Sequence, residues 1–363
     1  MKQFIPFKSL LALTFLFICN ASSATTWFVN DDATGSNNGG SWANAFIDLQ
    51  DALSASVDGD EIWVASGTYK PGTLRSSKFS LKSDVPLYGG FNGTETDIDQ
   101  RGVYYLNPTI LDGNIGDQAV ATDNCYHTVM MVSSVGNFLM DGFVITNGYA
   151  NSGTLNGQGG GLSIQGSAQA RIQNCYFREN YSLNGGAIHL RNVVNNVEVL
   201  SCVFYQNTGI QGSVISSEAD LYMESCLLVE NQASDKGSIF ITSGDDLTCY
   251  NATIYADVVG SSSGQKIIDG SGTSSIFDVQ NTIIWNCTQD AGDLIHVGSA
   301  SSTINQCNLQ SAQSNGTNIT TDDPLFENEA SLDLQLTLNS PGLNSGIPGL
   351  SFSPLDAFQS DRV

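Results

Sequence analysis

Residues 177–192 read FRENYSLNGGAIHLRN and place Arg178, Glu179, His189 and Arg191 within sixteen residues. An acid, an imidazole and two guanidiniums are ingredients of general acid–base work on an anionic substrate. They stand out because the chain holds only three His and thirteen Lys plus Arg among 363 residues. Two further carboxylates invite chemistry. Asp220 in EADLYMESC and Asp246 in GDDLTCYNA each stand six residues before one repeated column position. On neighbouring repeats they would lie roughly 5 Å apart, the spacing of a retaining glycosidase pair, and could share a Ca2+ ion. An aligned Asp column, with Asn196 in it, is also what a solenoid produces when Asp and Asn cap the turn entering each strand.

Whether these groups meet depends on the elements that carry them. IQNCYFREN (172–180), VLSCVFYQN (199–207) and MESCLLVEN (223–231) align on Cys175, Cys202 and Cys226. The column continues upstream at Gly142 and downstream through Ala252, Thr282 and Cys307. A second column, Gly160, Gly186, Gly212, Gly237, Gly264 and Gly292, recurs with the same period of about 26 residues. Two columns with one period define a solenoid. Within a coil the apolar residues alternate, as Ile188 and Leu190 do around His189, which is a strand pattern. Short strands, sharp corners with Gly at positive φ, and this coil length predict a parallel β-helix whose coils stack at about 4.8 Å. Asn147, Asn180, Asn207 and Asn231 then form a ladder of corner side chains.

The expected organisation is all-β. A leader at 1–24 precedes a cap at 25–59, a β-helix of about ten coils over 60–330, and a C-terminal strand and tail at 331–363. The cap contains SWANAFIDLQDALSAS (41–56), read as a helix with Ser41 as N-cap and Trp42, Phe46, Leu49 and Leu53 on one face. The runs GLSI, AIHL, SVIS and SIFI put Ile188 and Leu190 inside and an outward column at Ser163, His189, Ile215 and Phe240. His189 and Arg191 are therefore expected side by side on an exposed strand face. Ile215 and Phe240 are expected as an apolar stripe, either a contact face or a seat for the C-terminal tail. These four are the candidate binding residues. Asp220, Asp246, His189 and Arg191 are the candidate catalytic set, and Asp220 with Asp246 the candidate calcium ligands. No other cofactor is implied.

The first 24 residues, MKQFIPFKSLLALTFLFICNASSA, combine two lysines, an apolar run from Leu10 to Cys19 and a small-residue end at Ala24. That is a secretory leader, cut after Ala24. No later segment approaches 18 consecutive apolar residues, so an integral membrane span is not expected. The formal net charge is −23, and it falls by two more units when Lys2 and Lys8 leave. Such a chain repels nucleic acid and anionic membranes, and also polyanionic glycans unless a basic patch or metal intervenes. Of eight Cys, seven follow the leader. Stacked in parallel, Cys175, Cys202 and Cys226 are read as buried free thiols rather than disulfide partners.

WFVNDDATGSNNGGSWANAFIDLQDAL, GDEIWVASGTYKP (59–71), LYGGFNGTETDIDQR (87–101) and NPTILDG (107–113) resemble the start of secreted bacterial right-handed β-helix proteins of the pectin-lyase-like superfamily. FREN (177–180), FYQN (204–207) and GGAI (185–188) are similar to the FxxN and GGA[ILV] repeats of polymorphic outer membrane proteins. The resemblance implies a right-handed, single-stranded β-helix exported to the cell surface or medium. Lyases on this fold use Arg or Lys as base, usually with Ca2+, but no Arg/Lys pair here shares a column with an acidic pair. GDD (244–246) is similar to one polygalacturonase motif, without the accompanying Gly-His-Gly and Arg-Ile-Lys motifs. The leading expectation is thus a non-catalytic, adhesin-like protein that presents a long face to a glycan or cell surface. A polysaccharide lyase or glycoside hydrolase is the rival, and a structural passenger of a surface assembly the third reading.

Overall fold

The computed structural model describes residues 24–341 apart from 103–105, 133–134, 154–155, 167–168, 194–195, 243, 261–264, 271–273, 290–291 and 298–300. The chain is the expected parallel β-helix. One coil shows the plan: Gln169–Gln173, Tyr176–Arg178, Tyr181–Asn184 and Ile188–Arg191 lie in four different sheets. We number these sheets I to IV in that order. Among the described residues sheet I has eleven strands, from Thr26–Val29 to Gly316–Thr317; sheet II has nine, sheet III five and sheet IV eight. Strands within each pair in parallel with the neighbouring coil, as in Ile172↔Val199, Phe177↔Phe204 and Ile188↔Ile215.

Inward columns of like residues fill the core. Phe177 and Phe204 stack with centroids 5.3 Å apart, and Leu162, Ile188, Ile215 and Ile239 succeed one another in sheet IV. All six are fully buried. Each such side chain contributes about 1.5–3 kcal/mol relative to exposure.

Between sheets I and II the chain turns through a left-handed residue: Asn174, Ser201, Ser225, Asn251, Asn281 and Gln306, with φ of 49–58°. Gly142 holds the equivalent place upstream, one residue before the Cys column rather than in it. Polar residues, not chiefly glycines, thus make these corners, Asn being the side chain that tolerates this region best. The thiols follow directly. Cys202 Sγ donates to Ile172 O at 3.7 Å, Cys226 to Val199 O at 3.4 Å and Cys307 to Val279 O at 3.6 Å. All seven described cysteines are buried and none forms a disulfide.

The next corner, between sheets II and III, carries the ladder. Asn180 Nδ2 donates to Ile145 O, Asn207 Nδ2 to Phe177 O and Asn231 Nδ2 to Phe204 O, at 2.9–3.0 Å. Each Oδ1 accepts the backbone N–H of the ladder residue one coil earlier: Gly148, Asn180 and Asn207. Asn147 is not a rung. It sits at the left-handed corner (φ 61°), and Gly148 fills the slot. The rung after Asn231 is Asp257, whose Oδ1 accepts from Asn231 N at 2.8 Å.

At the front, Leu49–Ala55 is the capping helix and buries Leu49, Ala52 and Leu53. It starts later than expected. Asp48, not Ser41, caps it, accepting from Gln50 N. Trp42–Asn44 is a separate 3-10 turn, because Phe46 bridges to Val29 and exchanges backbone bonds with Phe28 and Asn30. At the back, Phe326–Asn328 and Asp333–Leu336 form an antiparallel hairpin. Phe326 and Leu334 pack on Leu227, Val229 and Tyr255, outward residues of sheet II, and Tyr255 Oη donates to Glu329 Oε2 at 2.6 Å.

Asp257 is fully buried, and its Oδ2 has no partner. By the step its neighbours follow, that atom occupies the slot from which an Asn amide would donate to Leu228 O. Only the protonated carboxyl has a donor to offer there. Burial raises the pKa to about 7 against the contacts of Ser238 and Asn231, and the Glu230 charge adds to the rise. A raised folded pKa means stability that is complete below about pH 4 and lost as pH rises through about 7. Asp257→Asn is expected to flatten that dependence in urea melts between pH 5 and 8 and to stabilise the chain by at least about 1 kcal/mol at pH 8.

Candidate functional site

The cluster of Arg178, Glu179, His189 and Arg191 divides between sheets. Arg178 and Glu179 pair with each other at 2.9 Å beside the second corner, where Glu179 adopts φ 56°. His189 lies in sheet IV and, contrary to expectation, is 2% exposed. Its strand neighbours are Ser163 and Ser216, and the Gly185 turn packs against the backbone of Ile188 and His189. Both ring nitrogens are without a hydrogen-bond partner. Burial drives the imidazole pKa down to about 4, against the Ser216 backbone contact, and the Arg191 and His127 charges add to the fall. His189 is therefore neutral at physiological pH. Arg191 stays partly exposed, with Nη1 3.5 Å from Gln158 Oε1.

The expected Ile215–Phe240 stripe is not a surface. The glycines that match in space are Gly159, Gly185 and Gly212, all at positive φ. Aligning Gly160, Gly186 and Gly212 slips the register by one residue, and a one-residue slip turns every side chain over. In the true register the outward column is Ser163, His189, Ser216 and Phe240, while Ile215 is 0% exposed in the core. Phe240 is also buried, with Lys236 Nζ 5.9 Å from its ring centroid. The C-terminal hairpin sits on sheet II instead.

Asp220 and Asp246 do occupy adjacent rungs. Asp220 Oδ1 accepts from Asp246 N at 2.9 Å, and Asp246 Oδ1 from Ile276 N at 2.7 Å. Each carboxylate thus caps the backbone N–H entering the next coil. Burial raises the Asp245 carboxyl above the usual range, against its bond from Thr242 Oγ1, and the Asp220 and Asp246 charges add to the rise. Among the described residues no group of three or more His, Cys, Asp or Glu is placed to hold a metal ion.

A different face gathers polar and aromatic groups. Outside sheet I, one column runs Arg171, Glu198, Tyr222, Thr248, Asp278, and a parallel one runs Asp141, Gln173, Leu200, Glu224, Tyr250, Gln280. Tyr222 Oη donates to Glu224 Oε2 at 2.8 Å, and Tyr250 Oη to Asp278 Oδ2. Gln280 Nε2 holds the other Asp278 oxygen at 2.6 Å. Glu224 is buried beneath this layer, whereas Tyr222, Tyr250 and Asp278 are half-buried. The two rings meet edge to face, 5.9 Å between centroids at 83°. Burial raises both phenol pKa values, and the bonded carboxylates raise them further, so both phenols stay neutral donors. Cations on the face are engaged: Arg171 pairs with Glu198 at 2.6 Å and Arg101 with Asp141 at 2.7 Å. The sequence signal was positional: these residues stand two and four places before the Cys column.

No family model matches the chain, and no curated protein matches it. Its architecture is similar to solved structures at low identity. A pectate lyase, Pel9A, aligns at TM-score 0.47 and 14% identity, covering 94% of this chain and 97% of its own. A rhamnogalacturonan lyase aligns at 0.45 and 12%, covering 83% and 85%. A pectin methylesterase from Aspergillus niger aligns at 0.29 and 12%, covering 83% and 87%.

Ile215→Ala is expected to cost ~2–4 kcal/mol in denaturant unfolding, the penalty of a core cavity; a change below ~0.5 kcal/mol would return Ile215 to the surface.

Proposed function

We propose that this protein is an exported, non-catalytic glycan binder whose contact surface is the outer face of sheet I, and that its ligand is neutral. The observation that carries the reading is the pairing of half-buried tyrosines with carboxylates on successive coils, Tyr222 with Glu224 and Tyr250 with Asp278. Tyrosine rings offer apolar faces to the C–H side of a sugar while their hydroxyls stay polar. Carboxylates such as Glu198 and Asp278 accept from vicinal hydroxyls, as charge-assisted bonds. The repeat spacing of about 4.8 Å lays these groups out as a track rather than a pocket. Uronate chains suit it poorly. The face carries carboxylates on several coils, its arginines are already paired, and the whole chain is strongly acidic. Catalysis has little support there: among the described residues the carboxyls with raised pKa, Asp245 and Asp257, lie at a loop turn and inside a corner.

Calorimetric titration with neutral oligosaccharides and with oligogalacturonate tests this. Neutral chains are expected to bind, with affinity falling roughly tenfold or more in Tyr250→Ala and in Asp278→Asn, about 1.4 kcal/mol each. Preference for oligogalacturonate, unchanged affinity in both variants, or release of new reducing ends or unsaturated products would overturn it.

A further inference from the structure

We infer that Asp60 is built to receive the α-amino group created when the leader is removed after Ala24. This rests on the leader pattern and not on the glycan reading. Asp60 Oδ1 accepts from Thr25 N at 2.9 Å. Its Oδ2 accepts from Trp27 Nε1 and from Val57 N, each at 2.9 Å. The side chain is buried, yet among the described residues no Lys, Arg or His forms an ion pair with it. Burial opposes its ionisation, but the bonds from Trp27, Val57 and Thr25 outweigh that and hold the carboxyl below the usual range. The site is therefore an enclosed anion that lacks a counter-charge. One of its donors is the nitrogen that the predicted cut would free.

Hydrolysis breaks the C–N bond between Ala24 and Thr25. Water gives its hydroxyl to the Ala24 acyl carbon and a proton to the Thr25 nitrogen, which takes a second proton from the new carboxyl group. The products are a carboxylate on the departing leader and an ammonium on Thr25. The atom 2.9 Å from Asp60 Oδ1 thereby turns a hydrogen bond from a neutral amide to a carboxylate into an ion pair between two full charges. Thr25 O already accepts from Glu61 N at 3.0 Å, so the ammonium is fixed in register on the first strand pair. A recess of about 590 Å3 is lined by Asp60, Glu61 and Asp84 together with Ala24, which leaves, and Thr26, the residues on either side of Thr25. Those carboxylates share the favourable sign. Lys82, the cation of the neighbouring turn, is occupied with Ser54 O and Ser56 O.

The amine's pKa should rise above the ordinary ~7.7–8.0 of a chain terminus. Its stabilisation is then complete below about pH 8 and fades as pH passes the raised value. Three measurements test the assignment. The mass of the exported protein reports the cut; a first residue other than Thr25 would overturn it. Recombinant chains starting at Thr25 and at Ser23 are melted between pH 6 and 11. The Thr25 chain is expected to melt about 2 °C or more higher at pH 7, with the gap closing at high pH and vanishing in Asp60→Asn. Equal melting of the two chains overturns the inference. The third needs no variant: reductive 13C-methylation of the Thr25 amine and NMR titration. A pKa within the ordinary range overturns it as well.

Discussion

The bond from a corner side chain to the backbone of the adjacent coil is the constraint on which this fold rests. A parallel β-helix turns three or four times per coil, and each turn strands backbone N–H and C=O groups away from the sheets. Asn180, Asn207 and Asn231 meet that need twice over, donating to one carbonyl and accepting from one N–H. Because each rung bonds its neighbour, the coils can stack in only one register. The thiols of Cys202, Cys226 and Cys307 do a weaker version of the same work at the preceding corner. Registered stacking then lines up every outward side chain, which is how the Tyr222–Tyr250 track arises without a cleft.

The corners also show how one chemical slot accepts different residues. The ladder position is filled by Gly148, three asparagines, Asp257 and then Cys287, whose Sγ reaches Ile254 O at 3.7 Å. At Asn180, Asn207, Asn231 and Cys287 what is preserved is a donor aimed at a carbonyl, not a residue type. Asp257 accepts from Asn231 as the other rungs do, but can match their donor only when its carboxyl holds a proton, so this rung depends on pH.

Much of this fold was legible in the sequence because stacking converts spatial columns into a period. The Cys column and the Asn rungs at 180, 207 and 231 could be read directly, and with them the strand order of each coil. Register at the third corner could not. Gly159–Gly161 and Gly185–Gly186 are runs, so they align with Gly212 in two ways that differ by one residue, and the wrong choice put Ile215 outside; His189 points outward in either register, and its burial was not legible at all. The capping helix was read too long because Phe46, which fits an apolar helical face, serves instead as a strand partner of Val29. The sheet I face escaped notice for another reason. Its column runs Arg171, Glu198, Tyr222, Thr248, Asp278, constant in place and varied in chemistry, and a search for repeated residue types passes over it.

The C-terminal hairpin has a mechanical meaning. Solenoid coils normally touch only their immediate neighbours, so the array can fray one coil at a time from an open end. Phe326, Leu332, Leu334 and Leu336 instead lie across residues of four successive coils, from Val203 and Tyr205 to Ile283 and Trp285. The hairpin acts as a splint. Peeling one of those coils away requires lifting a strip that also grips the others, so the rear of the molecule is bound to come apart as a block, and pulling along the solenoid axis would meet its stiffest segment there.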